Sequence, residues 1–184
     1  MVFSEAAFLP QRADVSLISM EGDHLRTPLL QESYTEAHAK ISPDGRWVAY
    51  TSTESGKNEI YVRPFPEVNN GKWLISTGNG VGPLWARDGR RIFYRSDDAV
   101  MEVGVETEPA FKFEKPKVLF RGNYFYMKAG QAVEPAWDIS PDSRFMMIKE
   151  VQPTEKDAAS QAPLRLNVVI NWFEELKQRV PTGK

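Results

Sequence analysis

The sequence predicts an all-β fold made of repeated four-stranded antiparallel sheets. Three similar segments, SPDGRWVAYTS at 42–52, ARDGRRIFYRS at 86–96 and SPDSRFMMIKE at 140–150, each join a polar turn to an apolar run. Their turn aspartates lie 44 and then 54 residues apart. A period of about 40–45 residues is typical of four-stranded propeller blades, and the longer interval fits the same unit with an insertion near FRGNYFYMKAGQ. We therefore predict a partial β-propeller.

Composition limits the classes of protein that need to be considered. The chain has 184 residues, of which 41% are hydrophobic, enough for one domain with a core. A formal net charge of −2 gives no basic surface for nucleic acid. The sequence has no cysteine and no apolar stretch long enough to span a membrane, and we predict neither a metal site nor a cofactor.

The predicted elements follow the repeat in order. VFSEA, DVSLISM and LRTPLLQ resemble the last three strands of an incomplete blade at 1–31. A complete blade at 36–78 contains WVAYTS, EIYVRPF and WLISTG, and a second complete blade at 80–122 contains GPLWA, RIFYRS, VMEVGVE and KVLFRG. AWDIS, FMMIKE and LNVVINW then form an incomplete blade at 132–171.

The last segment changes from a strand pattern to a helical one. Asn171 can cap a helix and Glu174 completes a capping box, so a short amphipathic helix is predicted over 172–180. The predicted fold class is therefore all-β: a partial β-propeller with two complete and two incomplete antiparallel blades and a short C-terminal helix.

The repeated turns depend on Asp-Gly pairs at 44–45 and 88–89. Glycine adopts a positive φ without steric cost, which a tight hairpin turn requires. Ser143 occupies the third equivalent position. That turn should be built differently or carry strain.

The segments SPDGRWVAYTS, NEIYVRPFP, GKWLISTG and PLWARDGRRIFYRS resemble the WD-repeat-like blades of TolB-family bacterial propellers. The closing LNVVINWFEELKQRVPTGK resembles the C-terminus of a propeller found in many bacterial proteins, including the sensor-like regions that follow eukaryotic-type serine/threonine kinase domains. The resemblance covers residues 14–184 and implies a propeller of about six to eight blades that binds other proteins. It leaves the cellular compartment open.

Several residue types that could carry chemistry are better explained by structure. The turn acids Asp44, Asp88 and Asp142 lie on separate hairpins, where aspartate side chains hydrogen-bond their own backbone. The arginines two residues after each of them are interpreted as salt-bridge or surface residues. The five tryptophans mostly fall at strand positions, so packing between blades explains them better than sugar stacking.

The candidate binding residues lie in loops expected at one mouth of the propeller channel. His38 precedes an innermost strand, and its equivalents in the other repeats fall near Gly82 and Ala136. The loops YTEAH, GNGVG and QAVEP should therefore cluster, and loops are where scaffolds of this kind carry function. The predicted ligand-binding residues are Glu36, His38, Asn79 and Glu134.

Three functions stay open at this point. The first is a non-catalytic scaffold that binds a protein, peptide or small ligand, and the second is a sensory module separated from a kinase or peptidase. The third is a small hydrolase with a site at the channel mouth or a dimer cleft. No GxSxG motif is present, so the scaffold is favoured and no catalytic residue is assigned. Because a partial ring would expose apolar faces, we also expect a homo-oligomer, with a protein or peptide as a further partner.

Overall fold

The computed structural model describes residues 2–6, 13–122, 124, 136–140 and 142–148, all within the unit Met1–Glu150. Of residues 2–6 only the backbone is described. These segments form fourteen β-strands and one 3-10 helix, Val68–Asn70, in four antiparallel sheets. The all-β prediction is confirmed.

The first sheet has three strands in the order β1 (Val2–Ala6), β2 (Ala13–Ile18) and β3 (Arg26–Leu30). Pro28 lies in β3, opposite Ser16. Proline has no N–H to donate to a ladder, and β3 is the edge strand of this sheet, so its position is compatible with pairing on one side only.

The second sheet has four strands in sequence order, from the innermost to the outer edge. The central strands are buried along most of their length, so both faces of the sheet are covered. This burial explains why the sequence shows short continuous apolar runs here in place of strict alternation. Its strands are β4 (Glu36–Ile41), β5 (Trp47–Ser52), β6 (Glu59–Pro64) and β7 (Trp73–Leu74).

The third sheet repeats this plan with a divided outer edge. The eight-residue strand β10 pairs with β12 through Ala99–Glu102 and with β11 through Val105 and Glu106. The sequence predicted β12 as the fourth strand but not β11. The strands are β8 (Val81–Trp85), β9 (Arg91–Ser96), β10 (Ala99–Glu106), β11 (Lys112–Phe113) and β12 (Lys117–Arg121).

The fourth sheet is described as one hairpin, in which β13 (Trp137–Ile139) pairs with β14 (Phe145–Met147). The strand predicted over LNVVINW and the helix predicted over 172–180 lie outside the described residues. For the described part, the architecture is a series of antiparallel sheets of the propeller type.

Successive sheets are joined by three apolar clusters. Between the first and second sheets, Val15 and Leu30 pack with Val48, Tyr50 and Tyr61. The next residues along the same strands point the other way, since successive strand side chains alternate between faces. The cluster between the second and third sheets thus contains Ala49, Ile60, Val62, Trp85, Ile92 and Tyr94.

The third cluster joins the third and fourth sheets. Leu84, Phe93 and Val100 pack with Trp137, and Phe145 lies against the same group. The Phe93 and Phe145 ring centroids are 5.0 Å apart in an edge-to-face arrangement, a favourable geometry for aromatic pairs. Full burial of a side chain of this size contributes about 1.5–3 kcal/mol, so each joint adds several such contributions to stability.

The three repeated turns have the same backbone form. Gly45, Gly89 and Ser143 have φ values of 73°, 68° and 65°, and each donates its N–H to a carbonyl three residues earlier at 2.9 Å. Of the two alternatives for the third turn, the structure shows the strained one: Ser143 adopts the left-handed conformation that glycine adopts in the other two.

This equivalence predicts opposite effects at two turns. Ser143→Gly should raise the free energy of unfolding by up to about 1 kcal/mol, because it removes a Cβ from a left-handed residue. Gly45→Ala should lower it by about 1 kcal/mol, since the added Cβ meets no atom within 4 Å and only the backbone conformation opposes it. Urea denaturation measures both. A change of the same sign in the two variants would contradict the shared turn geometry.

Candidate functional site

The loops predicted to form the channel mouth lead into the innermost strands of two neighbouring sheets. The predicted loops overlap these strands: Glu36 and His38 of YTEAH lie within β4, so His38 does not precede the strand as predicted, and Gly82 of GNGVG lies within β8. The two strands contact each other. QAVEP, with Glu134, lies outside the described residues. The structure therefore places two of the three loops on adjacent strands.

His38 and Gly82 occupy equivalent positions in the two sheets. Each lies in a β-bulge, where the innermost strand has one residue more than its partner between paired positions. Both are left-handed, with φ values of 57° and 61°. A histidine in this conformation is uncommon, whereas glycine adopts it freely.

A buried threonine connects these two positions. The Thr51 hydroxyl oxygen lies 3.2 Å from Nδ1 of His38 and accepts a hydrogen bond from the Gly82 N–H at 3.0 Å. The Gly82 carbonyl in turn accepts the indole N–H of Trp137 at 3.1 Å. The imidazole of His38 is thus held through polar contacts that run from the second sheet to the fourth.

Asn79 is held in a different way. It is half-buried and left-handed, with a φ of 59°. Its side-chain amide donates to the Asp97 carboxylate at 3.0 Å, in the turn between β9 and β10. Asn79 therefore fixes the loop before β8 to the loop after β9.

Glu36 is the most buried of the predicted binding residues, with 0% of its surface exposed. Oε2 accepts a hydrogen bond from the Glu32 N–H at 3.3 Å, and Oε1 has no hydrogen-bond partner among the described residues. Burial raises the pKa of its carboxyl from 4.5 to about 7, and the Arg63 charge opposes that increase. A carboxyl in this position does not meet solvent.

Arg63 and Tyr50 accompany Glu36 and were not predicted as site residues. Arg63 is 5% exposed, and its Nε donates to the Tyr50 hydroxyl at 2.7 Å. Burial raises the pKa of Tyr50 well above its usual value, so the phenol stays neutral. The sequence signal that could have identified this pair is an arginine inside the apolar run EIYVRPF.

The turn acids have the local role predicted for them. Asp44 accepts the N–H of Arg46 at 3.2 Å, and Asp88 accepts the N–H of Arg90 at 3.0 Å. Arg46 and Arg144 form ion pairs with the aspartates two residues before them. Asp88 instead pairs with Arg91, at 3.6 Å. These pairs are exposed, so they add little stability.

The described tryptophans pack between strands, as predicted. The Trp47 and Trp73 rings are 5.5 Å apart, and both contact Phe111. The Trp85 indole donates to the Lys40 carbonyl of the preceding sheet at 3.0 Å. Trp172 lies outside the described residues.

In the described part of the chain, no group of three or more His, Asp or Glu side chains has the arrangement of a metal site. No helix within the same segments has the length and apolar character needed to cross a membrane.

The left-handed conformation of His38 gives a test that is independent of any ligand. His38→Gly and His38→Ala both lose the imidazole, so only the Cβ distinguishes them. The glycine variant should be more stable by about 1 kcal/mol in urea denaturation.

Ala39 is the matched control because its φ is not positive. Ala39→Gly should destabilise the protein by about 0.5–1 kcal/mol. Equal stabilities of the two His38 variants would show that the left-handed conformation carries no strain.

No family model and no curated protein sequence matches this chain. Solved structures do match, among them that of a protein from Agrobacterium tumefaciens assigned as TolB. The two share 17% identity with a TM-score of 0.53, over 80% of this chain and 53% of the other. This chain thus spans about half the length of that structure. At this identity the likeness establishes the fold, and the predicted TolB-like propeller fold is confirmed.

Proposed function

We propose that this chain is a non-catalytic propeller module that binds a protein, peptide or small ligand through the loops entering β4 and β8, and that it self-associates. The observation that carries the proposal is His38. It adopts a left-handed conformation at the position that Gly82 occupies in the next sheet. Such strain costs of order 1 kcal/mol, and residues that carry it are concentrated at active sites and ligand-binding sites.

The geometry also indicates which predicted residues would contact a ligand. His38 and Asn79 are half-buried and are held by Thr51 and Asp97. Both are therefore positioned before a ligand arrives, which lowers the entropy cost of binding. Glu36 is buried and would stabilise the segment before β4 through its hydrogen bond with the Glu32 N–H, without contacting the ligand. Glu134 stays a predicted contact in the third loop.

A hydrolase is supported less well. A general base must reach the proton that it removes, either directly or through one water. Glu36, the carboxylate nearest to His38 in sequence, is completely buried and cannot contact a substrate in this conformation. A sensor role, as the resemblance to kinase-associated propellers suggests, is one form of the proposal because a sensor also binds without turnover.

Binding can be tested with a displayed library of random heptapeptides, using the wild-type protein as bait. Enriched peptides should bind the wild type, and His38→Gly and Asn79→Ala should each weaken that binding by about 5- to 150-fold, since loss of one polar contact costs about 1–3 kcal/mol. Glu67→Gln, an exposed position, is the matched control. Equal affinity of all variants would reject these loops as the binding site.

The same variants separate binding from catalysis. Wild-type protein should not hydrolyse generic ester or glycoside substrates. Turnover that falls by orders of magnitude in His38→Ala would establish the hydrolase in place of the scaffold.

Self-association is supported by the fourth sheet. Phe145 and Met147 pack toward the third sheet, whereas Met146 and Ile148 on the alternate positions are 69% and 55% exposed. Exposed apolar surface of this kind commonly marks an interface. A second copy that stacks on this face would continue the series of sheets.

Light scattering tests this part directly. At micromolar concentration the protein should have twice the mass of one chain, and Met146→Glu with Ile148→Glu should reduce it to one. Leu74→Glu, at an exposed apolar position of the outer strand β7, should leave the mass unchanged. A wild-type protein with the mass of a single chain would reject self-association while leaving the binding proposal intact.

A further inference from the structure

The joint between the first and second sheets contains a buried carboxyl group. Glu36 begins β4, the strand of the second sheet that contacts β1 and β2. Asp14 lies on β2, and its charge acts on Glu36. The carboxyl of Glu36 is therefore enclosed where the two sheets meet.

Several charged or titratable groups face Glu36 from the surrounding elements. Asp14 acts from β2, Glu32 and Tyr34 from the segment before β4, Tyr50 from β5 and Arg63 from β6. Arg63 is the cation among them, and it already donates to Tyr50 and lies 3.7 Å from Glu32. An ionised Glu36 would have to share this guanidinium with Glu32.

Glu59 shows how the same fold stabilises a buried carboxylate. It is 3% exposed, yet Oε1 accepts the Gly78 N–H at 3.1 Å and lies 3.3 Å from the Lys57 ammonium. Oε2 accepts the Ser76 hydroxyl. Both oxygens of Glu59 have donors, whereas Oε1 of Glu36 has none among the described residues. The surroundings of Glu36 suit a neutral acid.

We propose that Glu36 is a proton-operated latch between the first and second sheets. When it is protonated the joint is closed around a neutral carboxyl. When it loses the proton, a buried negative charge faces Asp14 and Glu32, and the first sheet separates more often from the second.

The direction in which stability changes with pH follows from the raised pKa of Glu36. The pKa of Glu36 is raised from 4.5 to about 7 by burial. Between these two pH values the folded state holds the proton more tightly than the unfolded state, so stability falls as pH rises and becomes constant above pH 7. The opening equilibrium of the joint should increase by about two orders of magnitude over this interval.

Hydrogen exchange of the full chain at pH 5.5 and pH 8.0 tests the latch, with rates corrected for intrinsic exchange. Protection factors of amides in β2 and β3 should fall by up to about 30-fold at the higher pH, because only the roughly 1.5 pH units between pH 5.5 and the raised pKa contribute, while those in β8–β10 should stay within a few-fold. Glu36→Gln, which keeps the shape without the proton, should abolish the difference. Glu67→Gln should behave as the wild type.

Two outcomes would overturn the proposal: an equal loss of protection in the third sheet, or a persistent pH effect in Glu36→Gln. A second variant keeps the test decisive if that protein does not fold. Asp14→Asn removes a negative charge that raises the pKa of Glu36, so it should move the midpoint of the opening to lower pH. An unchanged midpoint would show that Asp14 and Glu36 are not coupled.

Discussion

The fold depends on burying both faces of each central strand. Val48 and Tyr50 of β5 face the first sheet, while Ala49 between them faces the third. The same division holds in β9, where Ile92 and Phe93 face opposite joints. Because the side-chain period of a strand is two, each strand supplies half of its residues to each neighbour. No sheet in the series is therefore stable by itself, and the repeat is a consequence of this shared burial.

The turn that repeats in the sequence has a specific task in this arrangement. Ser42, at the end of the first strand of its sheet, accepts the Trp47 N–H through its hydroxyl at 3.0 Å, while Asp44 closes the turn from within. In the fourth sheet the Ser140 hydroxyl also accepts a backbone N–H across the turn, but from Arg144, one position earlier in the repeat, at 3.1 Å. These local bonds help to fix the register of the hairpin, because turn type and loop length determine which residues pair. A shift of one residue would exchange the faces that serve the two joints.

Features that depend on neighbouring residues could be predicted from the sequence, whereas features that depend on residues distant in the chain could not. The period, the hairpins and most strands are encoded by turn residues and short apolar runs, so they could be predicted. β11 could not, because a strand of two residues, Lys112 and Phe113, has no pattern and exists only through pairing with β10. The left-handed Ser143 was foreseen only as one of two alternatives.

The candidate site was predicted less completely. Alignment of the repeats placed His38 opposite Gly82, but the contact with Thr51 depends on the fold. YTEAH was interpreted as a loop at the channel mouth, whereas Glu36 lies in β4 and is buried beside Asp14 and Arg63, which are distant in sequence. When residues distant in sequence bury a polar side chain, the local sequence does not indicate that burial.

A series of polar contacts runs from Thr51 of the second sheet, through Gly82 of the third, to Trp137 of the fourth. Two bonds of the Gly82 peptide groups, one to the Thr51 hydroxyl and one to the Trp137 indole, join the imidazole of His38 to an aromatic ring of the fourth sheet. A movement of the bulge that holds His38 should therefore reach the surroundings of the Trp137 indole. We expect the fluorescence of Trp137 to respond to changes at the entrance of the second sheet.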